Sequence, residues 1–451
     1  MYRTRVIPNR QTGVDVGRLI DDGRWTGYQR WLIALVAAAV VFDGVDNQLL
    51  GIVIPSVMAE WAMPRSAFAP VVSLGYFGMM IGGAVAGMLG DRLGRRSALL
   101  GSMVVFGLMT LAAAMVDSIA WFGILRLLAG IGLGGAMPNA AALAAEYVPA
   151  RMRPIAVTIT IVCVPVGGTL AGVLGIQALP VVGWRSLFIV GGLVPLVAAV
   201  ALRWMLPESP QFLARRPSRW PELGLVMKRM GHTVAPAASF VDPSAARSMA
   251  KAPIAALFEP AFGRDTFALW TAFFSCLLSV YLGFSWLTAL LTSAGFDAAT
   301  ASAGITAFNL GGVAGALIGG LGISRFGSKL SMLTMALVAV VGAVILAVMP
   351  MSPAASARPV IAMLAIVGGA INGVQVALYA LAAHVYPTAI RATGVGTALA
   401  VGRIGAVLTG YVGSWAIDLG GPPSYFGVVA MMMLVTGGSV AVVRRHVPAG
   451  G

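Results

Sequence analysis

The chain has 451 residues, 59% of them hydrophobic and only 10% charged, with a mean hydropathy of +0.89. A water-soluble protein of this length needs far more charge to cover its surface, so that class is excluded and most side chains must face lipid or other helices. The net charge of +14 does not indicate nucleic acid, because the cations sit in short loops between apolar runs and no basic run is interleaved with aromatics. Cys163 and Cys276 lie inside apolar runs, and His232, His384 and His446 are scattered, so no disulfide, metal site or cofactor is expected.

A helix needs ~20 residues to cross a hydrocarbon core of ~30 Å. Residues 1–30 form a polar, partly acidic segment with six arginines, from Arg3 to Arg30, and no signal-peptide pattern. Twelve windows then reach the required length: 31–54, 67–90, 97–116, 119–145, 155–178, 186–206, 266–294, 299–323, 330–350, 359–384, 392–414 and 425–443. Helices are expected, because an isolated apolar segment must satisfy its backbone internally and the alternating strands of a barrel are absent. The predicted fold is an all-α integral membrane protein of two six-helix bundles, 1–206 and 266–451, joined by a polar loop over 207–265. That loop reads as a solvated tether that can lie on an anionic membrane surface.

Ionisable groups inside such spans are costly and by default mark function. In the first span Asp43 lies ~18 Å beyond Trp31 at ~1.5 Å per residue. Asp46 follows at i+3, on the same side of the helix. Two carboxylates this close in low dielectric cannot both ionise cheaply, which suits a proton site. The fourth span carries Arg126 at a depth comparable with Asp46, so an ion pair is plausible, and that pair can equally be structural. The eighth span carries Asn309, and the tenth carries Asn372, Gln375 and Tyr379 on one face at i, i+3, i+7. These can hydrogen-bond a solute or merely another helix. Tyr281 and Trp286 in the seventh span can stack on a ring or anchor at an interface. The eleventh span carries Arg403 and no acid of its own, so a carboxylate on the solute is an attractive partner for its planar fork. Glycine pairs such as Gly83/Gly87 and Gly311/Gly315/Gly319 predict close helix packing.

The loops add a repeat. Gly87-Met-Leu-Gly-Asp91-Arg92-Leu-Gly94-Arg95-Arg96 follows the second span, and Gly320-Leu-Gly-Ile-Ser324-Arg325-Phe-Gly327-Ser328-Lys329 follows the eighth. Glu146-Tyr147-Val148-Pro149 with Arg153 is matched by His384-Val385-Tyr386-Pro387 with Arg391. The offsets are 233 and 238 residues, and such internal repeats are common in transporters. Gly94 and Gly327 suit tight turns, and Asp91 is expected near the start of the third helix, where its dipole favours a carboxylate. Asp91, Arg92, Gly94, Arg95, Glu146, Arg153, Arg325, His384 and Arg391 all fall at one end of the bundle, where contacts can form and break as a gate. Twenty-five of the 30 Lys and Arg residues share the side of both termini, which predicts termini and central loop in the cytoplasm.

The loop at 87–96 resembles the signature of the major facilitator superfamily, as do Arg126-x-x-x-Gly130-x-Gly132-x-Gly134 and Pro207-Glu208-Ser209-Pro210. Within it the chain resembles the aromatic acid:proton symporter family, which includes 4-hydroxybenzoate permeases. That resemblance is carried by Val16 to Asp21, Asp43-Gly44-Val45-Asp46, the run from Tyr386 to Gly394, and Gly402-Arg403-Ile404-Gly405. Ser324 departs from it where the first half has Asp91. The resemblance implies a monomeric inner-membrane carrier importing an aromatic carboxylate with protons. The alternatives are proton-coupled transport of another organic anion, sugar or metabolite, drug–proton antiport, or a receptor that binds without transporting. Catalysis lacks support, since neither a nucleophile arrangement nor a metal cluster is found.

Overall fold

The computed structural model describes residues 14–232, 239–241, 254–352, 357–387 and 389–450. Arg3, Arg5 and Arg10, the central-loop stretches 233–238 and 242–253, and Thr388 lie outside them. Among the described residues nine continuous helices are long and apolar enough to cross a membrane. Three of these, Arg153–Met205, Ala298–Val348 and Arg391–Val442, have 53, 51 and 52 residues. At ~1.5 Å per residue each exceeds twice the ~30 Å core. Each breaks at a glycine of positive φ: Gly183 at 73°, Gly327 at 79° and Gly421 at 60°. A Cβ would strain the chain there, so these are the turns between paired spans.

Dividing at those turns gives the twelve expected helices. They are α1 (Gly27–Trp61), α2 (Ala69–Leu93), α3 (Arg95–Ala113), α4 (Ile119–Tyr147), α5 (153–182) and α6 (184–205). The second half contains α7 (Gly263–Ser293), α8 (298–326), α9 (328–348), α10 (Ala357–Val385), α11 (391–419) and α12 (422–442). The chain is a multi-pass membrane protein. The repeat read from the loops reappears in the turns. Gly94, at φ 105°, and Gly327 are 233 residues apart (327 less 94), and Gly183 and Gly421 are 238 apart (421 less 183).

Helix α1 starts at Gly27, four residues before the expected window, because Thr26 and Gln29 form a capping box. Gln29 also donates to the Tyr147 carbonyl at 2.8 Å, tying the start of α1 to the end of α4. The halves pack alike: α1 on α5 and α2 on α4 in the first, α7 on α11 and α8 on α10 in the second. In the second half the seam is the expected one, since a Cβ on Gly311 or Gly315 would strike the carbonyls of Ala365 or Gly369. In the first half the expectation is corrected for Gly87, which has open space; a Cβ on Gly83 would lie 3.4 Å from the Gly134 carbonyl of α4, and the tightest contacts on α4 are made by Gly78 and Gly82.

The central loop is also more structured than a tether. Pro210–Ala214 and Trp220–Arg229 are helical, with Phe212, Leu213, Leu223 and Met227 buried. Val14–Asp15 pairs in parallel with Phe240–Val241, so the N-terminal segment and the loop hold each other.

Candidate functional site

The two halves touch mainly toward the end opposite the termini. Gln48 of α1 and Asn309 of α8 exchange two amide hydrogen bonds, of 2.8 and 2.7 Å. The Thr288 hydroxyl donates to the Gly51 carbonyl, and Tyr76 meets Ser285 at 2.6 Å. Ser73 donates to the Val407 carbonyl at 2.7 Å, and Arg65 pairs with Asp418 at 2.5 Å. Asn309 is therefore not in a solute site as expected: it is fully buried and its amide is closed on Gln48. A short polar side chain midway along a helix looks the same in sequence whichever neighbour it meets.

At the termini end the motif residues pair within the first half. Asp91 lies in the last turn of α2, not at the start of α3, and pairs with Arg95 at 2.5 Å. The carboxylate on the N-terminus of α3 is instead Glu208, 1% exposed, which accepts from the Arg96 backbone N–H at 2.9 Å and from Ser97 at 3.3 Å. A helix N-terminus presents free N–H groups that favour an anion. Glu146 accepts from the Ser209 hydroxyl and lies 3.7 Å from Arg95. Arg153 pairs with Asp21 at 2.5 Å. Arg216 donates to the carbonyl of Arg92, which is itself exposed. Arg325 and His384 are also exposed, and Arg391 donates to the Tyr386 carbonyl. The Pro-Glu-Ser-Pro motif thus latches α3 and α4 to the loop, a contact that no local pattern announces.

Between these ends lies a narrow cavity with an open mouth. The first half contributes Asp43 and Asn47 of α1, together with Met79, Leu133 and Pro165. From the second half come Tyr281 and Phe284 of α7, then Asn372, Gln375 and Tyr379 of α10, then Arg403 of α11. The three residues of α10 do share one face, as their spacing predicts. Trp286 does not join them: it is fully buried and donates to the Thr409 carbonyl at 3.1 Å. Asp43 reaches the cavity because Gly44 lets α1 approach α5 closely; a Cβ there would strike the Val164 backbone.

Asp46 and Arg126 are near Asp43 but do not line this cavity. Successive helix residues turn ~100°, so i+3 is displaced by roughly 60°. That rotates Asp46 toward α3 and α4, where Thr110 donates to it at 2.5 Å and Arg126 at 3.3 Å. Arg126 also stands over Phe188, 5.6 Å from the ring centroid. The acid pair is thus split, Asp46 sharing a buried ion pair while Asp43 lines the cavity. Asp43 Oδ1, Asn47 Oδ1 and Arg403 Nη1 are buried without hydrogen-bond partners. Arg403 lies within electrostatic range of Asp43, Tyr281 and Tyr379. The arrangement is an enclosed, aromatic-walled site with one cation and one acid supplied by opposite halves. Inter-half pockets of this kind, near the middle of a repeat protein, are where transporters hold their solutes.

A sequence model of the Major Facilitator Superfamily matches residues 36–373. The chain belongs to that superfamily. The gallate transporter of Pseudomonas putida is 35% identical over 93% of this chain and 92% of its own length. The 4-hydroxybenzoate transporter of Acinetobacter baylyi is 34% identical over 94% of this chain and 92% of its own. The benzoate transport protein of the same organism is 30% identical over 94% of this chain and 92% of its own. The E. coli xylose transporter XylE, in a partially occluded inward open conformation, matches with a TM-score of 0.72 over 91% of this chain and 97% of its own, at 17% identity, which speaks for the fold alone. This major facilitator protein is accordingly a transporter and not an enzyme.

Proposed function

We propose that this chain imports an aromatic carboxylate together with a proton by alternating access. The observation that carries the reading is Arg403, whose Nη1 is unpartnered, in an aromatic-walled cavity opposite Asp43, whose Oδ1 is unpartnered. The names of the relatives, carriers of gallate, 4-hydroxybenzoate and benzoate, agree with it.

The coupling follows from charge. With Asp43 ionised, Arg403 has its counter-charge and the cavity is neutral. A second carboxylate would then be an unpaired buried anion, which is costly. A proton taken onto a carboxylate oxygen of Asp43 removes that charge and leaves Arg403 to the solute. Its two parallel N–H groups suit a carboxylate, while Tyr281 and Phe284 offer ring faces and edges. Tyr379, Gln375 and Asn372 form the polar wall. Asp46, Arg126 and Thr110 hold α1 in place behind Asp43. In purified protein reconstituted into liposomes, an inward-directed proton gradient should drive accumulation of at least one of benzoate, the hydroxybenzoates, phenylpropanoids or gallate. Accumulation of aliphatic diacids or sugars in their place would select the alternative substrates.

The halves 1–206 and 266–451 are taken as the rocking bodies, with 207–265 as their link. The protein is taken as a monomer of the inner membrane, as the family resemblance implies, and the cation asymmetry favours both termini in the cytoplasm; an impermeant maleimide reaching Gly224→Cys from outside intact cells would reverse that orientation. The termini end then becomes the cytoplasmic gate. In this conformation Asp91 is 60% exposed in its side chain and pairs with neighbouring Arg95, and that exposure leaves it open to the second half on closure. Arg92, Gly94, Glu146, Arg153, Arg325, His384 and Arg391 form the rest of that gate. Asp91→Asn is expected to slow turnover severalfold while leaving the solute Kd unchanged. Weakened binding at a normal turnover rate would remove Asp91 from the gate.

A further inference from the structure

We propose that Asn47 reads a ring hydroxyl of the solute and sets the preference for hydroxylated over unsubstituted aromatic acids; this rests on the aromatic-carboxylate reading above. Asn47 sits one helical turn past Asp43 on α1 and lines the same cavity. It is 8% exposed, and its Oδ1 is out of reach of water with no hydrogen-bond partner. Other amides near the middle of the bundle differ. Asn309 and Gln48 are closed on each other, and Asn372 donates to the Gly368 carbonyl at 2.8 Å; Asn139 Oδ1 also lacks a partner, but Asn139 does not line the cavity.

Asn47 also borders a second, smaller void with Tyr76, Met79 and Arg126. Met79 and Leu133 are common to both spaces, so Asn47 stands where the cavity narrows toward the ion pair behind it. Apart from Asp43 and Asn47, the wall that the first half gives the cavity is apolar, with Met79, Leu133, Met137 and Pro165. A solute held by its carboxylate on Arg403, in the opposite half, directs its ring across the cavity toward α1.

A buried amide without a partner is a cost that a fitting ligand removes. A phenolic hydroxyl both donates and accepts, so it satisfies Asn47 whichever way the amide is turned. A ring C–H leaves the amide unpaired. Sites built to bond a hydroxyl reject analogues lacking it far more strongly than apolar pockets reject an extra one.

The test is equilibrium binding of benzoate and of 2-, 3- and 4-hydroxybenzoate to the purified full-length protein, wild type and variants. Wild type should bind at least one hydroxylated isomer roughly tenfold or more tightly than benzoate. Asn47→Leu, of similar size, should erase that preference while retaining benzoate affinity, which also shows that the variant is folded. Asn47→Thr, with a hydroxyl in place of the amide, should keep part of it. An unchanged preference in Asn47→Leu, or none in wild type, overturns the proposal and leaves Asn47 as a packing or water-binding group. Wild type binding none of the four acids, nor gallate or a phenylpropanoid, would instead overturn the aromatic-carboxylate reading beneath it.

Discussion

Replacing Asp43 with asparagine should abolish concentrative uptake while preserving exchange of solute across the membrane. The amide has nearly the shape of the protonated acid and carries no charge. It therefore fixes the cavity in the state in which Arg403 is free for the solute carboxylate. Binding should survive and lose its dependence on pH, because no group opposite Arg403 takes up a proton. In wild type the solute carboxylate and ionised Asp43 compete for one guanidinium, so affinity should fall as pH rises. In Asp43→Asn that slope should flatten, and dissipating the proton gradient should no longer change uptake. Asp46→Asn should behave differently. Asp46 is fully buried against Arg126, itself 3% exposed. Removing its charge leaves a buried cation without its counter-ion, and breaking a buried pair costs roughly 3–5 kcal/mol. Its signature is a lowered thermal unfolding midpoint. If Asp43→Asn still accumulates the acid and stops when the gradient is collapsed, the proton is carried elsewhere.

Arg403→Ala is expected to remove solute binding, and Arg403→Lys to weaken it. Arg403 is held deep in the bundle, where a cation without an anion is penalised by roughly 2.5 kcal/mol or more. Its helix offers no acid within reach before Asp418, which is engaged by Arg65 at the opposite end. A carboxylate bound by the guanidinium fork gains a charge-assisted interaction of about 1.5–3 kcal/mol, or about tenfold to hundredfold in Kd. Lysine keeps the charge but presents no planar fork, so part of that gain is lost. The methyl ester of a transported acid should compete poorly for wild type and no worse for Arg403→Ala. Equal competition by ester and acid in wild type, together with unchanged affinity in Arg403→Ala, would make Arg403 a structural partner of Asp43 and nothing more.

The membrane class, the number of spans and the two-fold repeat were legible in the sequence because each depends on local chemistry. Apolar length decides whether a segment can leave water. A glycine at a turn declares itself through the φ that only it adopts without strain, which is why Gly94 and Gly327 were found from the motif alone. The face shared by Asn372, Gln375 and Tyr379 also followed from helical spacing. Tertiary structure alone decided which neighbour each polar group meets. Asp43 and Asp46 look equivalent in sequence, yet a rotation of roughly 60° along one helix sends one to a cavity and the other to Arg126. Asn309 looked like a ligand and became half of an inter-bundle amide pair, because Gln48 comes from a helix 261 positions away. Glu208 caps α3 across 112 positions. Such contacts are set by how whole helices cross, and the spacing of residues along one helix carries no record of what stands opposite.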